Sequence, residues 1–217
     1  MEEYNQEQAL KTLDKVVTIL DEHKIEYHFL GSVVTAAING KLHRKLGDLD
    51  LIVDIKGKDI LYQKLKGIGY FRAGGMFSFA RKYMELETLE HPSLLGVGFF
   101  YGKWLSDGSF HLGNQKINVT IDSRALTKTG YHLYDISFFG LPQDAIATGI
   151  KTSGNNPKRK NELLLLREKN IKPLKNNYIH ITIFGFKADW IYHFVMALLN
   201  FIGGIRVSLG LAFDPWR

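Results

Sequence analysis

Apolar positions along the chain change period several times, and each change predicts an element. Between Gln6 and His23, Ala9, Leu10, Leu13, Val16, Val17 and Leu20 recur at helical spacing, with Lys11, Asp14 and Lys15 turned outward. This predicts an amphipathic scaffold helix. Ile25 to Leu30 reads as a short strand that Gly31-Ser32 ends abruptly. Glycine lets a backbone approach a ligand closely, and serine can cap the next helix. That helix, Val33 to about Asn39, points its positive N-terminus at the turn, a favourable place for phosphate. A plain strand-to-helix turn uses the same two residues, so Gly-Ser alone decides nothing.

Lys41, His43, Arg44 and Lys45 lead into a strand that opens with Asp48 and Asp50. Two positions apart on a strand, both carboxylates point to one face. Leu49, Leu51, Ile52 and Val53 are apolar, which predicts a central, buried strand. Two carboxylates on one face repel unless a cation lies between them. Magnesium is suited to such a place, since it takes a few carboxylates together with phosphate oxygens.

Further along, Gly57 to Gly67 predicts a second amphipathic helix closed by glycine. Alternation in MFSFARKYMEL predicts a strand after a Gly74-Gly75 turn. Phe77, Phe79, Phe99, Phe100, Tyr101 and Trp104 can pack a core or stack on a base, and burial is the commoner use of aromatics. Phe110 to Leu112 and Lys116 to Asp122 read as paired strands joined at Gly113-Asn114. In the second strand, Ile117, Val119 and Ile121 alternate with Asn118, Thr120 and Asp122. Asp122 is thus a third carboxylate at the C-terminal end of a strand, a frequent location for active-site groups in α/β folds.

Pro142 predicts a helix start, with the helix running to about Lys151. A loop at Ser153 to Pro157 separates it from a second helix, Lys158 to Lys169, with Leu163, Leu164 and Leu166 inward. Beyond Pro173, NNYIHITIFGF reads as a strand. Trp190 to Phe213 is strongly apolar but contains His193, Asn200, Gly203-Gly204 and Arg206. A central arginine opposes membrane insertion. The stretch therefore predicts a buried helix with a short strand, or a dimer surface.

The bulk numbers narrow the picture. The chain has 217 residues, 45% of them apolar, enough for a sizeable core. It contains no cysteine, which excludes disulfides, thiolate zinc sites and cysteine nucleophiles. The acidic, amphipathic N-terminus is no signal peptide, and a cytoplasmic location is expected. Net charge is +6, from 28 basic and 22 acidic side chains, which permits an anionic partner such as a nucleotide or RNA.

A Gly-Ser turn, a helix and Asp-x-Asp on the next strand resemble the nucleotidyltransferase superfamily that includes DNA polymerase β. More narrowly, the chain looks like the minimal and aminoglycoside-type nucleotidyltransferases and the AbiEii-type toxin enzymes. Members of that group place an arginine four residues before the first aspartate, which Arg44 matches; Leu46 stands where a hydroxyl residue is usual. Asp122 matches the family's third carboxylate in kind and placement, and Lys151 its downstream lysine. Lys158, Arg159 and Lys160 match its basic segment, with Asn161 where an aspartate is common.

The resemblance implies an α/β (α+β) fold, a mixed β-sheet core flanked by helices. It covers about residues 25–169, and the chain is expected to divide into a catalytic core over 1–140 and a helical, apolar C-terminal region over 141–217. It implies transfer of a nucleoside monophosphate from an NTP to a hydroxyl of tRNA, a protein or a small molecule such as an antibiotic. Asp48, Asp50 and Asp122 would be catalytic and hold Mg²⁺, Asp122 as metal ligand or as base. Gly31, Ser32, Arg44, Lys151 and Lys158 would bind the nucleotide. The basic loops lean towards a tRNA acceptor and a toxin-type role, and the apolar C-terminus towards a homodimer or an antitoxin partner. The alternative is a non-catalytic nucleotide- or RNA-binding module of the same fold.

Overall fold

The computed structural model describes residues 2–73, 85–113, 117–152, 157–175 and 178–191. Helix α1 (Glu2–Glu22) leads to strand β1 (Tyr27–Phe29), helix α2 (Gly31–Asn39), strand β2 (Asp48–Asp54) and helix α3 (Lys58–Gly67). Strands β3 (Phe71–Arg72), β4 (Leu86–Glu90), β5 (Gly96–Trp104), β6 (Phe110–Gly113) and β7 (Ile117–Ile121) follow. Then come β8 (Thr129–Leu133), β9 (Ile136–Gly140), α4 (Gln143–Thr152), α5 (Pro157–Glu168), β10 (Ile179–Ile183) and β11 (Phe186–Lys187).

The strands form one mixed sheet in the order β11-β10-β7-β6-β5-β2-β1-β9-β8, with β4 also on β5 and β3 on β4. β2 lies inside it, antiparallel to β1 and parallel to β5. Its alternation is faithful to the pattern: Leu49, Leu51 and Val53 are buried on one face beside Val97, Phe99 and Tyr101 of β5. Asp48 and Asp50 take the other phase, Asp48 exposed and Asp50 half-buried. A strand flanked on both edges, with one apolar face, has its register fixed, because a slip of one residue would turn the aspartates into the core.

Helix α1 does more than cover that core. Asn5 is buried, and its side-chain amide accepts from the Leu46 N–H at 3.1 Å and donates to the Leu46 carbonyl at 3.3 Å. One helical stretch on, buried Thr12 accepts from the Leu95 N–H at 3.0 Å. These contacts tie α1 to the chain just before β2 and just before β5. Leu46 is itself a core residue, 2% exposed, so its position serves packing.

The described residues after 140 are built onto the core: α2 packs on α4 and α5, and β10 pairs with β7 through Ile179↔Ile121 and Ile181↔Val119. Of the aromatics, Phe99 and Tyr101 are fully buried, and Trp104 packs edge-on against Phe110 with ring centres 4.9 Å apart. These pack the sheet. Phe77 and Phe79, most of the strand expected at MFSFARKYMEL, the Gly74-Gly75 turn and the apolar stretch from 192 onward lie outside the described residues. No described helix is long and apolar enough to cross a membrane.

Candidate functional site

The acidic pair and the phosphate turn come together because β1 and β2 are neighbours. The Leu30 N–H donates to the Asp50 carbonyl at 2.8 Å, which sets the end of β1 beside the start of β2. The chain then turns at Gly31, whose φ of 61° lies in the left-handed region. A Cβ there would meet nothing within 4 Å, so the turn opens onto free space. Helix α2 starts at this turn with no side-chain cap and no acid in its first turn. Its leading N–H groups are left for an anion.

Two guanidinium groups converge on the same place. Arg44 donates to Ser32 Oγ, and Arg159 Nη1 donates to it at 3.4 Å. Both arginines are anchored by Glu162, whose side chain is fully buried. Arg44 Nε and Nη2 reach Glu162 Oε1 at 3.1 and 2.9 Å, and Arg159 Nη1 reaches Oε2 at 2.7 Å. His43 Nε2 lies 3.7 Å from Oε1. Burial by itself would raise the Glu162 carboxyl; His43, Arg159 and Arg44 outweigh it and hold the group far below the usual range. Glu162 is therefore ionised, and it fixes two cations whose charges it only half cancels.

The pair has the opposite electrostatics. Burial first, and then the Asp48 charge, push the Asp50 carboxyl well above the carboxylate range, while Arg159 pulls it back. This is the signature of a poorly solvated carboxylate held beside a like charge. Space for them is built in on β5, where Gly98 pairs with Asp50 and Gly96 with Asp48. A Cβ on Gly98 would come within 2.5 Å of Asp50 Oδ1. The donor set is two carboxylates on one face with a cradle beside them. It suits a hard divalent cation that completes its coordination with phosphate oxygens and water.

Asp122 does not join them. It follows β7, three strands from β2. Through Ile121↔Phe110 and Phe110↔Trp104 it is level with the far end of β5, whereas Asp48 and Asp50 are level with its start. At ~4.8 Å per strand and ~3.3 Å per residue, that separation exceeds about 20 Å. The Asp122 carboxylate caps a short turn at Ser123–Ala125 and grips Arg124, with Nη2 at 2.6 Å. The Arg124 hydrogen bonds hold its carboxyl below the ordinary value. Its assignment as metal ligand or base is corrected accordingly: a strand end is only useful if its strand borders the site.

Lys151 is exposed in the last turn of α4, and no hydrogen bond or ion pair among the described residues joins it to the pair. The side chain of Lys158 lies outside the described residues. Its neighbour Arg159 is the cation of that segment that meets Ser32, and Glu162, one place after Asn161, is the acid. A further carboxylate is placed by register. β4 runs antiparallel along β5 with Thr88↔Gly98 and Leu89↔Val97, so the next step brings Glu90 level with Gly96 and Asp48. Glu90 is exposed at the end of β4. Glycines at 96 and 98 were the available signal, because they mark a strand whose face must stay empty.

No protein-family model matches the sequence, and no curated protein matches it. Solved structures do. A lincosamide antibiotic adenylyltransferase, LnuA, in a lincomycin-bound crystal structure matches over 72% of this chain and 95% of that one, at 17% identity and a TM-score of 0.59. ANT(2")-Ia in complex with adenylyl-2"-tobramycin matches over 87% and 94%, at 11% identity and a TM-score of 0.56. The solution structure of the antibiotic-resistance factor ANT(2'')-Ia matches over 73% and 83%, at 13% identity and a TM-score of 0.53. The chain has the nucleotidyltransferase fold.

Proposed function

We propose that this chain transfers a nucleoside monophosphate from an NTP, with ATP the first to test, to an acceptor hydroxyl and releases pyrophosphate. The observation that carries the reading is the convergence of Ser32, Arg44 and Arg159 at the uncapped start of α2, beside Asp48 and Asp50. Gly31 and Ser32 would receive the β- and γ-phosphates, with Arg44 and Arg159 neutralising the charge that grows on the pyrophosphate. Asp48 and Asp50 would hold Mg²⁺, which supplies charge neutralisation on the triphosphate. Glu90 takes the place first given to Asp122: across the bare Gly96 it can accept the proton of the attacking hydroxyl. Lys151 and Lys158 remain secondary contacts to the nucleotide in this reading. The fold shared with LnuA and ANT(2")-Ia supports the reaction class.

The test incubates the full chain with Mg²⁺ and each labelled NTP, and follows both pyrophosphate release and label on added acceptors. Dependence of both on Asp48 and Asp50 is the expected result. Nucleotide binding with no pyrophosphate release under any acceptor would replace the enzyme by a binding module of the same fold.

A further inference from the structure

Charge is not spread evenly around the pair, and this inference, which rests on the nucleotidyl-transfer reading, concerns the acceptor. On the β1 side of β2 stand the cations, Arg44 and Arg159. On the β5 side the sheet is nearly bare. One row across it runs Asp48, Gly96, Glu90, Phe71, and the next runs Asp50, Gly98, Thr88. At ~4.8 Å per strand, Glu90 is about 10 Å and Phe71 about 15 Å from Asp48 along the first row. Phe71 is 50% exposed, Glu90 is exposed, and no hydrogen bond or ion pair holds Glu90 among the described residues.

The neighbouring charges belong to the other face. Arg72 alternates with Phe71 and turns the opposite way, where its Nε pairs with buried Glu87 at 2.6 Å. Lys103 likewise has the opposite phase from Gly96 and Gly98. The described acceptor side thus offers one carboxylate beyond the pair, the proposed base Glu90, with one hydroxyl, one exposed phenyl ring and no cation.

We infer that the acceptor is a small hydroxylated molecule with an apolar face and at most one positive charge, seated over Gly96 and Gly98 and against Phe71. A polycation would need several carboxylates where, among the described residues, Glu90 alone stands beside the two that would hold the metal. A nucleic-acid backbone would lie beside Asp48, Asp50 and Glu90 with no lysine or arginine among the described residues of that side to meet its phosphates. The phenyl ring suits an alkyl or sugar face, which buries area there without needing a charge. The stretch joining β3 to β4 contains Arg81 and Lys82, so tRNA is the competitor that the experiment has to exclude.

The experiment gives the full chain, Mg²⁺ and labelled NTPs three kinds of acceptor at equal concentration. These are singly charged or neutral hydroxylated compounds including lincomycin, the polycation tobramycin, and bulk tRNA. The expected kcat/KM is at least about tenfold higher for a member of the first group than for the other two, a discrimination that a few contacts can supply. Phe71→Ala should raise the KM for that acceptor about tenfold and leave the NTP Kd unchanged. Phe71→Glu should move preference towards tobramycin. Equal or better transfer to tobramycin or tRNA overturns the inference, as does an acceptor KM indifferent to Phe71→Ala. Failure of every compound in the first group to bind or react overturns it too. Asp50-dependent pyrophosphate release in the same samples shows whether the nucleotidyl-transfer reading survives such a result.

Discussion

Asp50 and Asp122 are the same residue in what looks like the same setting, an alternating apolar strand, yet the fold gives them opposite fates. Asp50 lies where β2 borders β5, facing a second aspartate and a glycine, and its carboxyl is pushed up. Asp122 ends β7, where backbone and guanidinium donors from Arg124 satisfy it and its carboxyl is pulled down. A carboxylate that binds its own neighbours is finished as a structural cap. One that is crowded and under-solvated holds free energy that a cation can release. Chemistry belongs to the second kind.

The largest effect expected is the direct contrast. Asp50→Asn should lower NTP-dependent transfer by on the order of 10³-fold, in the manner of other losses of transition-state charge stabilisation. Asp122→Asn should leave it within about twofold, because nothing it touches borders the site. Steady-state assays on the two purified variants decide this. A collapse of activity in Asp122→Asn with the fold intact would break the comparison.

Next is Glu162, which holds Arg44 and Arg159, the second of which acts on Asp50. Replacing it by glutamine leaves Arg44 and Arg159 without their buried counter-charge. Breaking such a pair costs about 3–5 kcal/mol of stability. The sign with pH follows from its lowered carboxyl. The folded state keeps Glu162 ionised where the unfolded chain, near the ordinary value of ~4.3, takes up a proton. Its stabilisation is therefore complete above that unfolded value and is lost as pH falls through it towards the folded one. Denaturant melts from neutral to acid pH should show a steeper decline for the wild type than for Glu162→Gln; parallel curves would remove Glu162 from its role as anchor.

Much of this was legible from residue order. Gly31-Ser32, Arg44, Asp48 and Asp50 lie in one stretch, and period-two alternation puts both aspartates on one face. What escaped was whatever depends on a partner far along the chain. Arg159 and Lys158 differ by one position, about 100° around a helix, and nothing local says which one meets α2. Glu162 is 118 residues from Arg44. Asp122 and Glu90 were separable only by the order of the strands, which places β7 three strands from β2 and sets β4 on the other edge of β5, level with the pair. Alternation tells which face a side chain takes, and strand order tells which neighbours share that face.

Gly98 tests the crowding itself. Gly98→Ala would put a methyl within 2.5 Å of the unsubstituted Asp50 Oδ1 position, so the carboxylate has to swing away. Overpacking of this sort costs about 1–3 kcal/mol, and here it should appear as a ~10–100-fold fall in transfer with a small change in melting temperature. An active Gly98→Ala enzyme would mean that the Asp50 rotamer is free to vary.

The smallest effect, and the one that reaches furthest from the site, is at Asn5. Its two hydrogen bonds to Leu46 are buried and local, and they set the loop two residues before Asp48. Asp122 is set differently: its N–H donates to the Tyr178 carbonyl at 2.8 Å and its carboxylate caps its own turn. Asn5→Ala removes both bonds and leaves a buried N–H and carbonyl unsatisfied, a cost of about 1–3 kcal/mol in stability. If Asn5 only glued α1 to the sheet, that loss would be the whole effect. If it positions the pair, the Mg²⁺ concentration for half-maximal activity should also rise, by a few-fold. Thr12→Val, which breaks the matching bond before β5, separates the two explanations. It should lower stability by a similar amount and leave the Mg²⁺ requirement nearer the wild-type value, because β5 brings glycines to the site where β2 brings the ligands.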